Sequence, residues 1–320
     1  MIITHLSGGL GNQLFQYAMG RQVALRLDVD LRFDLFSYRS DKLRKYGLSV
    51  FPIHGRPATW AELFRICPLL AMSRLFPRPL YDRGWRHLGR LGIKSQCRDR
   101  IGEGRLHGTP LPLRRGVIVA ERQMTFDRAA FECRDSSLLV GWWMQEGYFQ
   151  AIRPALLQEL SPSAPPSEWD QSLLRHMDAT GSVALHVRRS DKVGRDDFTA
   201  TSLVYCLRAM AEMKRRLLRP HFYVFSDDPQ WTRQHLGSLP DVTLVTQHDW
   251  SQAHDVLRLM RACQHQIIAA SSLSWWAAWL NDRQGRIVIS PPSTHWIRSP
   301  GYDTSQILPD DWLVVDAPWD

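Results

Sequence analysis

From residue 182 onward the chain alternates short apolar runs with amphipathic stretches, and this rhythm restricts the fold more than any other feature. Ser182–Val187, Phe222–Phe225, Val242–Val245, Gln266–Ala270 and Arg286–Ser290 read as buried strands. Between them, Ser202–Arg219, a short stretch near Pro229–Leu236, Ser251–Gln264 and Ser272–Leu280 place apolar residues at helical spacing. Strands that alternate with helices in this way build a parallel sheet with helices on both faces. The N-terminus starts on the same plan: a strand MIITHL, a glycine loop SGGLGN, a helix over Gln13–Leu27 and a second strand over Val29–Phe33. Strand-like runs return at Gly116–Ala120 and Leu138–Trp142, and Ser161–Glu168 reads as a linker. The 320 residues divide naturally into an α/β domain over 1–160 and a second over 169–320.

Charge separates one segment from the rest. Residues 56–115 hold 13 basic and 4 acidic residues, whereas the whole chain carries +8. This Arg-, Pro- and Gly-rich stretch reads as a basic helical insertion, and its charge points to an anionic partner. It shows no helix-turn-helix or RNA-binding signature, so nucleic acid is not the expected partner. The five cysteines form no CxxC pair, which argues against a disulfide framework or a structural zinc site. The first residues lack a basic leader, and no run reaches the ~18 apolar residues of a membrane span. The expectation is a cytoplasmic protein, soluble or peripherally bound. The 13 Trp fit a core role better than a sugar-binding one.

Three polar clusters follow strands of the second half: His186–Asp197 (HVRRSDKVGRDD), Ser226–Asp228 (SDD) and Ser271–Trp276 (SSLSWW). Ligands of open parallel sheets bind beyond the carboxyl ends of the strands. Three such clusters on one sheet are expected to converge. Arg188 and Arg189 offer planar forks for a diphosphate, with a structural ion network through Asp191, Asp196 or Asp197 as the alternative. Ser271, Ser272 and Ser274 stand where a strand hands over to a helix, as caps or as an anion site. Asp227 and Asp228 have the acceptor pair that guanine's amide and amino groups require, or serve the turn before Pro229. The loop Gly8–Asn12 lacks the GK[ST] of a phosphate loop and the third glycine of a dinucleotide loop. The one DxD, Asp28–Asp30, reads as structural.

Taken together, SGGLGNQLFQYAMGRQVA, HVRRSD, VFSDDPQW and SSLSWWAAWLN resemble the α-1,2-fucosyltransferases, in the expected order from residue 6 to about residue 281. The resemblance implies two facing Rossmann-like domains in a GT-B-like arrangement, GDP-fucose as donor, a galactose-type acceptor, inversion at the sugar carbon and no required metal. It implies that Arg188 neutralises the diphosphate, and Arg189 is kept beside it as a donor-binding candidate. Asp227 or Asp228 reads guanine, Ser271 and Ser272 cap the phosphates, and Gly9, Asn12 and Gln13 face the cleft from the other domain. Two positions depart from the family: Ala270 stands where Asn is common, and Leu273 where Phe is usual. HVRRSDKVGRD is closer to the loop of the α-1,6-fucosyltransferases. There an acidic base matches Asp196, with Asp197 and Asp191 as further candidates. An inverting transfer needs such a base, and fixed cations to receive the charge of the departing diphosphate. The alternatives are an α-1,6- or other GDP-sugar transferase, and a basic nucleic-acid- or lipid-binding protein. The basic insertion, with Leu63, Phe64, Ile66, Leu69, Leu70, Met72, Leu75 and Phe76, is expected to rest on an anionic inner membrane face. There it would meet an acceptor carried on a lipid diphosphate, as in O-antigen assembly.

Overall fold

The computed structural model describes residues 1–39, 41, 43–66, 68–73, 111–113, 116–121, 124–248, 250–298 and 302–318. The chain forms two compact units, Met1–Ser49 with Ile53–Glu159, and Val50–Pro52 with Leu160–Asp320.

Unit 1 is built on a sheet of order β3-β2-β1-β6-β5-β4. The strands are β1 (Ile2–His5), β2 (Leu31–Asp34), β3 (Arg56–Pro57), β4 (Leu111–Leu113), β5 (Gly116–Ala120) and β6 (Ser137–Val140). All neighbours run parallel except β4 and β5. Helix α1 (Leu10–Leu27) starts three residues before the predicted Gln13, because the glycine loop itself opens it, with Gly9 at the N-cap. Leu14, Phe15, Tyr17, Ala18, Met19, Val23 and Ala24 are all buried, so the helix lies largely inside the unit. Gly20 permits this: a Cβ there would collide with the Thr4 hydroxyl on β1. Asp28 ends the helix in the left-handed conformation, and Asp30 pairs with Arg32 at 2.8 Å, so both acids of the DxD have structural duties. Helix α4 (Arg153–Glu159) closes the unit: Glu159 takes the Tyr17 hydroxyl at 2.5 Å and the Arg21 guanidinium at 2.8 Å.

Of the expected helical insertion 56–115, the described residues form α2 (Trp60–Ile66) and α3 (Pro68–Ser73), but its two ends are the sheet strands β3 and β4. Ile66 is buried, and Leu63 packs with it against Ile3, Ile118 and Leu138. Trp60, Phe64 and Met72 remain exposed. Residues 74–110, with Arg74, Arg78, Arg83, Arg86, Leu75 and Phe76, lie outside the described residues.

Unit 2 opens with α5 (Glu168–Asp178), capped by Ser167 at the end of the proline-rich stretch through a reciprocal Ser167–Asp170 pair. Its sheet comprises β7 (Gly181–Val187), β8 (Pro220–Ser226), β9 (Val242–Val245), β10 (His265–Ile267), β11 (Val288–Ser290) and β12 (Leu313–Val314). The order is β12-β11-β10-β7-β8-β9, with every neighbour parallel. Read from β9, this is the 3-2-1-4-5-6 order of a dinucleotide fold. The crossovers are α6 (Leu203–Arg216), α7 (Pro229–Leu236), α8 (Ala253–Ala262) and α9 (Ser272–Trp279). Val183, Leu185 and Val187 alternate with residues of the other face and pack with Tyr205, Phe222, Val224, Ile267 and Ile289. Trp275 and Trp276 are fully buried, which answers the tryptophan question on this helix in favour of the core. Among the described residues no helix is long and apolar enough to cross a membrane.

Candidate functional site

In unit 2 the chain builds outward from β7 through β8 to β9, then returns to β10 on the other side. In open parallel sheets of this order, ligands bind at such a reversal, outside the carboxyl ends of the flanking strands, here β7 and β10. The three polar clusters leave β7, β8 and β10, which are adjacent, so the convergence expected from the sequence is present.

Arg188 follows β7. Its guanidinium is shared between two carboxylates, Asp227 through Nη1 and Asp191 through Nη2, the latter at 2.6 Å. Asp227 is also the anchor of the loop after β7. It accepts the backbone N–H of Arg189 at 2.7 Å, the N–H of Ser190 at 3.1 Å and the Ser190 hydroxyl at 2.5 Å. Burial alone would raise the Asp227 carboxyl, but Arg188, Ser190 and the Arg189 N–H outweigh it and hold the group below the usual carboxylate range. Both oxygens of Asp227 are therefore committed to shaping the arginine loop.

Asp228 has a different occupation. Its side chain caps α7 by accepting the Trp231 N–H at 3.0 Å, so turn chemistry is present at this position. Arg189 turns away from Arg188, as alternation requires. It donates to the Thr201 carbonyl at 2.5 Å, lies 4.2 Å over the Trp231 ring and stands 3.9 Å from Asp228. Its charge holds α7 against the loop.

Lys192, four residues beyond Arg188, was not singled out by sequence reasoning. Its ammonium donates to the Ala270 carbonyl and so spans the reversal from the β7 loop to the β10 loop. Burial, aided by the Arg188 charge, pushes this amine down to about 8. A lysine at i+4 from a strand-end arginine was the available signal. His186 sits inside β7, where burial pushes it down to about 3, with Arg188 and Lys192 adding to the effect. It is neutral at ordinary pH. On the β10 side Ser271 is the N-cap of α9 but makes no side-chain cap bond, whereas Ser274 turns back to the Ala269 and Ser271 carbonyls. The helix thus begins with its amide end uncapped by a side chain, a short distance along the chain from the carbonyl that Lys192 holds. Asp196 is exposed, and its neighbour Arg195 pairs with Asp197 instead.

Unit 1 has a corresponding reversal between β1 and β6, bridged by Gln16. Its amide accepts the Ser7 N–H at 2.9 Å and donates to the Gly141 carbonyl at 3.2 Å. Gly8 takes φ of +75° and Gly9 caps α1. The resemblance puts Gln13 toward a ligand, yet both its amide hydrogens are committed, to the Gly8 carbonyl at 3.1 Å and the Lys45 carbonyl at 2.9 Å. It shapes the glycine loop. Asn12 packs against Gly8. Beyond β5, the buried Glu121 accepts the Trp142 N–H at 2.6 Å and the Trp143 N–H at 3.1 Å. Burial pushes its carboxyl up to about 7 in spite of these two donors.

The model of glycosyl transferase family 11 matches residues 119–312. The chain belongs to this family. The match takes in β6 to β11 and the three polar clusters of unit 2, but not the glycine loop after β1. An α-1,2-colitosyltransferase of Escherichia coli is 24% identical over 99% of both chains. An O-antigen biosynthesis glycosyltransferase of the same species, WbnK, is 24% identical over 96% of this chain and 98% of its own. A galactoside 2-α-L-fucosyltransferase of Caenorhabditis elegans is 27% identical over 49% of this chain and 47% of its own. Among solved structures, the NodZ α-1,6-fucosyltransferase soaked with GDP-fucose is similar at a TM-score of 0.43 and 14% identity, covering 87% of this chain and 91% of that one. The ADP-heptose heptosyltransferase II of E. coli reaches 0.45 at 13% identity, covering 98% and 89%. This family 11 chain is a glycosyltransferase, and the resemblance to α-1,2-fucosyltransferases is upheld at the level of the family.

Proposed function

We propose that this family 11 enzyme transfers L-fucose from GDP-β-L-fucose, with inversion, to the 2-hydroxyl of a terminal galactose-type sugar during O-antigen or related surface polysaccharide synthesis. One observation carries the reading: Arg188, Lys192 and the uncapped start of α9 belong to loops that meet at the reversal of unit 2. As the sugar–phosphate bond breaks, negative charge grows on the departing diphosphate. A guanidinium, an ammonium and a helix amide end are the groups that receive such charge. Asp227 holds Arg188 in place from behind. Asp228, whose second oxygen lies beside Arg189, is the better of the two acids for guanine. Asp196, exposed on the β7 loop, is the base for the acceptor hydroxyl, and Asp191 orients Arg188. No metal takes part in this scheme.

The test is a donor screen with GDP-fucose, other GDP-sugars and a colitosyl nucleotide against galactose-terminated acceptors, in excess EDTA, with product linkage read by NMR. An α-1,2-fucosyl product supports the proposal. An α-1,6 linkage, a preference for the colitosyl donor, or activity restored only by manganese or magnesium would each replace the corresponding part of it. The acceptor is proposed to be carried on a lipid diphosphate at an anionic membrane face, reached through the basic segment 56–115. Exposed Trp60 and Phe64, stacked at 4.9 Å on α2, support that contact.

A further inference from the structure

His5 ends β1 and Asp34 ends β2, and the two are paired in the parallel register, so their side chains share a face. The His5 Nδ1 lies 2.7 Å from Asp34 Oδ2. A carboxylate can only accept, so Nδ1 carries the proton and Nε2 presents its lone pair. Ser37, in the short 3-10 turn Phe36–Arg39, places its hydroxyl 2.9 Å from that Nε2. The other oxygen of Asp34 accepts the Phe36 N–H at 3.1 Å, which fixes the carboxylate plane. Asp34 and His5 are buried at 1% and 4% exposure, whereas Ser37 is half-buried. Burial thus decreases from acid to imidazole to hydroxyl, the order in which a relay delivers an activated oxygen to a substrate.

We propose that Ser37, His5 and Asp34, all in unit 1, form a second catalytic centre, a serine acyl-transfer site for small carboxylic esters. The Ser37 oxygen bonds to the ester carbonyl carbon as its proton passes to His5 Nε2. The carbon–oxygen bond to the alcohol then breaks, and the alcohol leaves with that proton. Water, giving a proton to His5, releases the acid from the acyl-serine and restores the hydroxyl. Asp34 holds the tautomer throughout and remains ionised. The Tyr38 hydroxyl donates to the Gly8 carbonyl at 3.0 Å and ties the turn bearing Ser37 to the glycine loop. That loop opens an 18-residue helix with no side-chain cap and no acid in its first turn; the amides ahead of Asn12, whose own N–H bonds the Gly9 carbonyl, are the proposed donors for the carbonyl oxygen.

The experiment uses the full chain with a fluorophosphonate probe, peptide mapping of the adduct, and p-nitrophenyl acetate hydrolysis. GDP binding and the melting temperature serve as folding controls. The expected result is an adduct on Ser37, hydrolysis at least about 10²-fold above that of Ser37→Ala, and loss of both in His5→Gln. Ser37→Cys guards against a misfolded His5 variant: its thiol should react with iodoacetamide faster than the free amino acid. A folded wild-type chain that takes no probe at Ser37, or a Ser37→Ala variant that hydrolyses the ester as fast, would overturn the proposal. The three residues would then only pin β1 to the turn after β2.

Discussion

Replacing Asp227 with Asn separates two roles for one carboxylate. In the structure four donors converge on it: Arg188 Nη1, the N–H groups of Arg189 and Ser190, and the Ser190 hydroxyl. An amide oxygen can satisfy about half of these, and the new NH2 faces the remainder. Two hydrogen bonds to a charged group are lost, at about 1.5–3 kcal/mol each. Removing one partner of a buried ion pair costs about 3–5 kcal/mol. Arg188 keeps Asp191 at 2.6 Å, which favours the lower end, about 3 kcal/mol. For a unit of this size that lowers the melting temperature by about 6–12 °C. Calorimetry should show this shift in one transition, together with an equal loss of affinity for GDP and ADP, because the phosphate loop is disordered for both. The wild-type advantage should itself vanish on acidification: Asp227 is held below its ordinary value of 3.8, so its contribution is present above that value and lost as pH falls through the folded one. A variant that melts within about 2 °C of wild type, yet loses only its preference for GDP over ADP, would refute this reasoning. Asp227 would then be a base reader.

Four further outcomes are expected. Arg188→Ala should lower turnover by at least about 10²-fold and Arg188→Lys should rescue little, since an ammonium lacks the fork; steady-state kinetics of transfer decide it. If protonated Lys192 binds the diphosphate, kcat/KM should be level below about 8 and fall above it, and Lys192→Gln should abolish that limb of the pH profile. Glu121 binds its proton more tightly folded than unfolded, so between 4.5 and about 7 stability should decline as pH rises and then level off. Glu121→Gln should flatten that slope in urea titrations at several pH values. Vesicle sedimentation should show binding that requires anionic lipid, weakens from low to physiological salt, and drops when Arg74, Arg78, Arg83 and Arg86 become Gln; equal binding to neutral vesicles would remove the membrane from the scheme.

Strands β7, β8, β10 and β11 were legible because they are largely buried and therefore read as apolar runs, whereas the two-residue strand β12, half exposed at Val314, was not read. Their ends were less so: Gln266–Ala270 continues apolar, but the ladder stops at Ile267 as the chain turns toward α9. The start of α1 was misread because glycine counts as a loop signal, whereas here it is the cap. The three clusters after β7, β8 and β10 were legible as neighbours because topology alone brings those strands together. What remained hidden was pairing at a distance. Arg188 finds Asp227 39 residues away, Lys192 finds Ala270 78 away, and His5 and Ser37 are 32 apart. No local pattern marks such partners. Asp227 and Asp228 look interchangeable in sequence, yet one anchors a loop and the other caps a helix.

The return of the chain to β10 has a consequence for how this enzyme becomes competent. β7 to β9 and β10 to β12 are successive stretches of sequence, and each contributes only one bank of the reversal. If the donor diphosphate sits there as proposed, neither bank can hold it before the other has docked, and affinity for the nucleotide would report completion of the sheet. A bound donor also acts as a clamp across the seam. At a hundred times its dissociation constant it would add about 2.7 kcal/mol against separation of the two halves. Lys192 already sews the same seam from within the protein, at the bond to Ala270. During synthesis the ribosome delivers β7 to β9 first, and the loop after β7 must wait, half-walled, until residues 265–320 emerge.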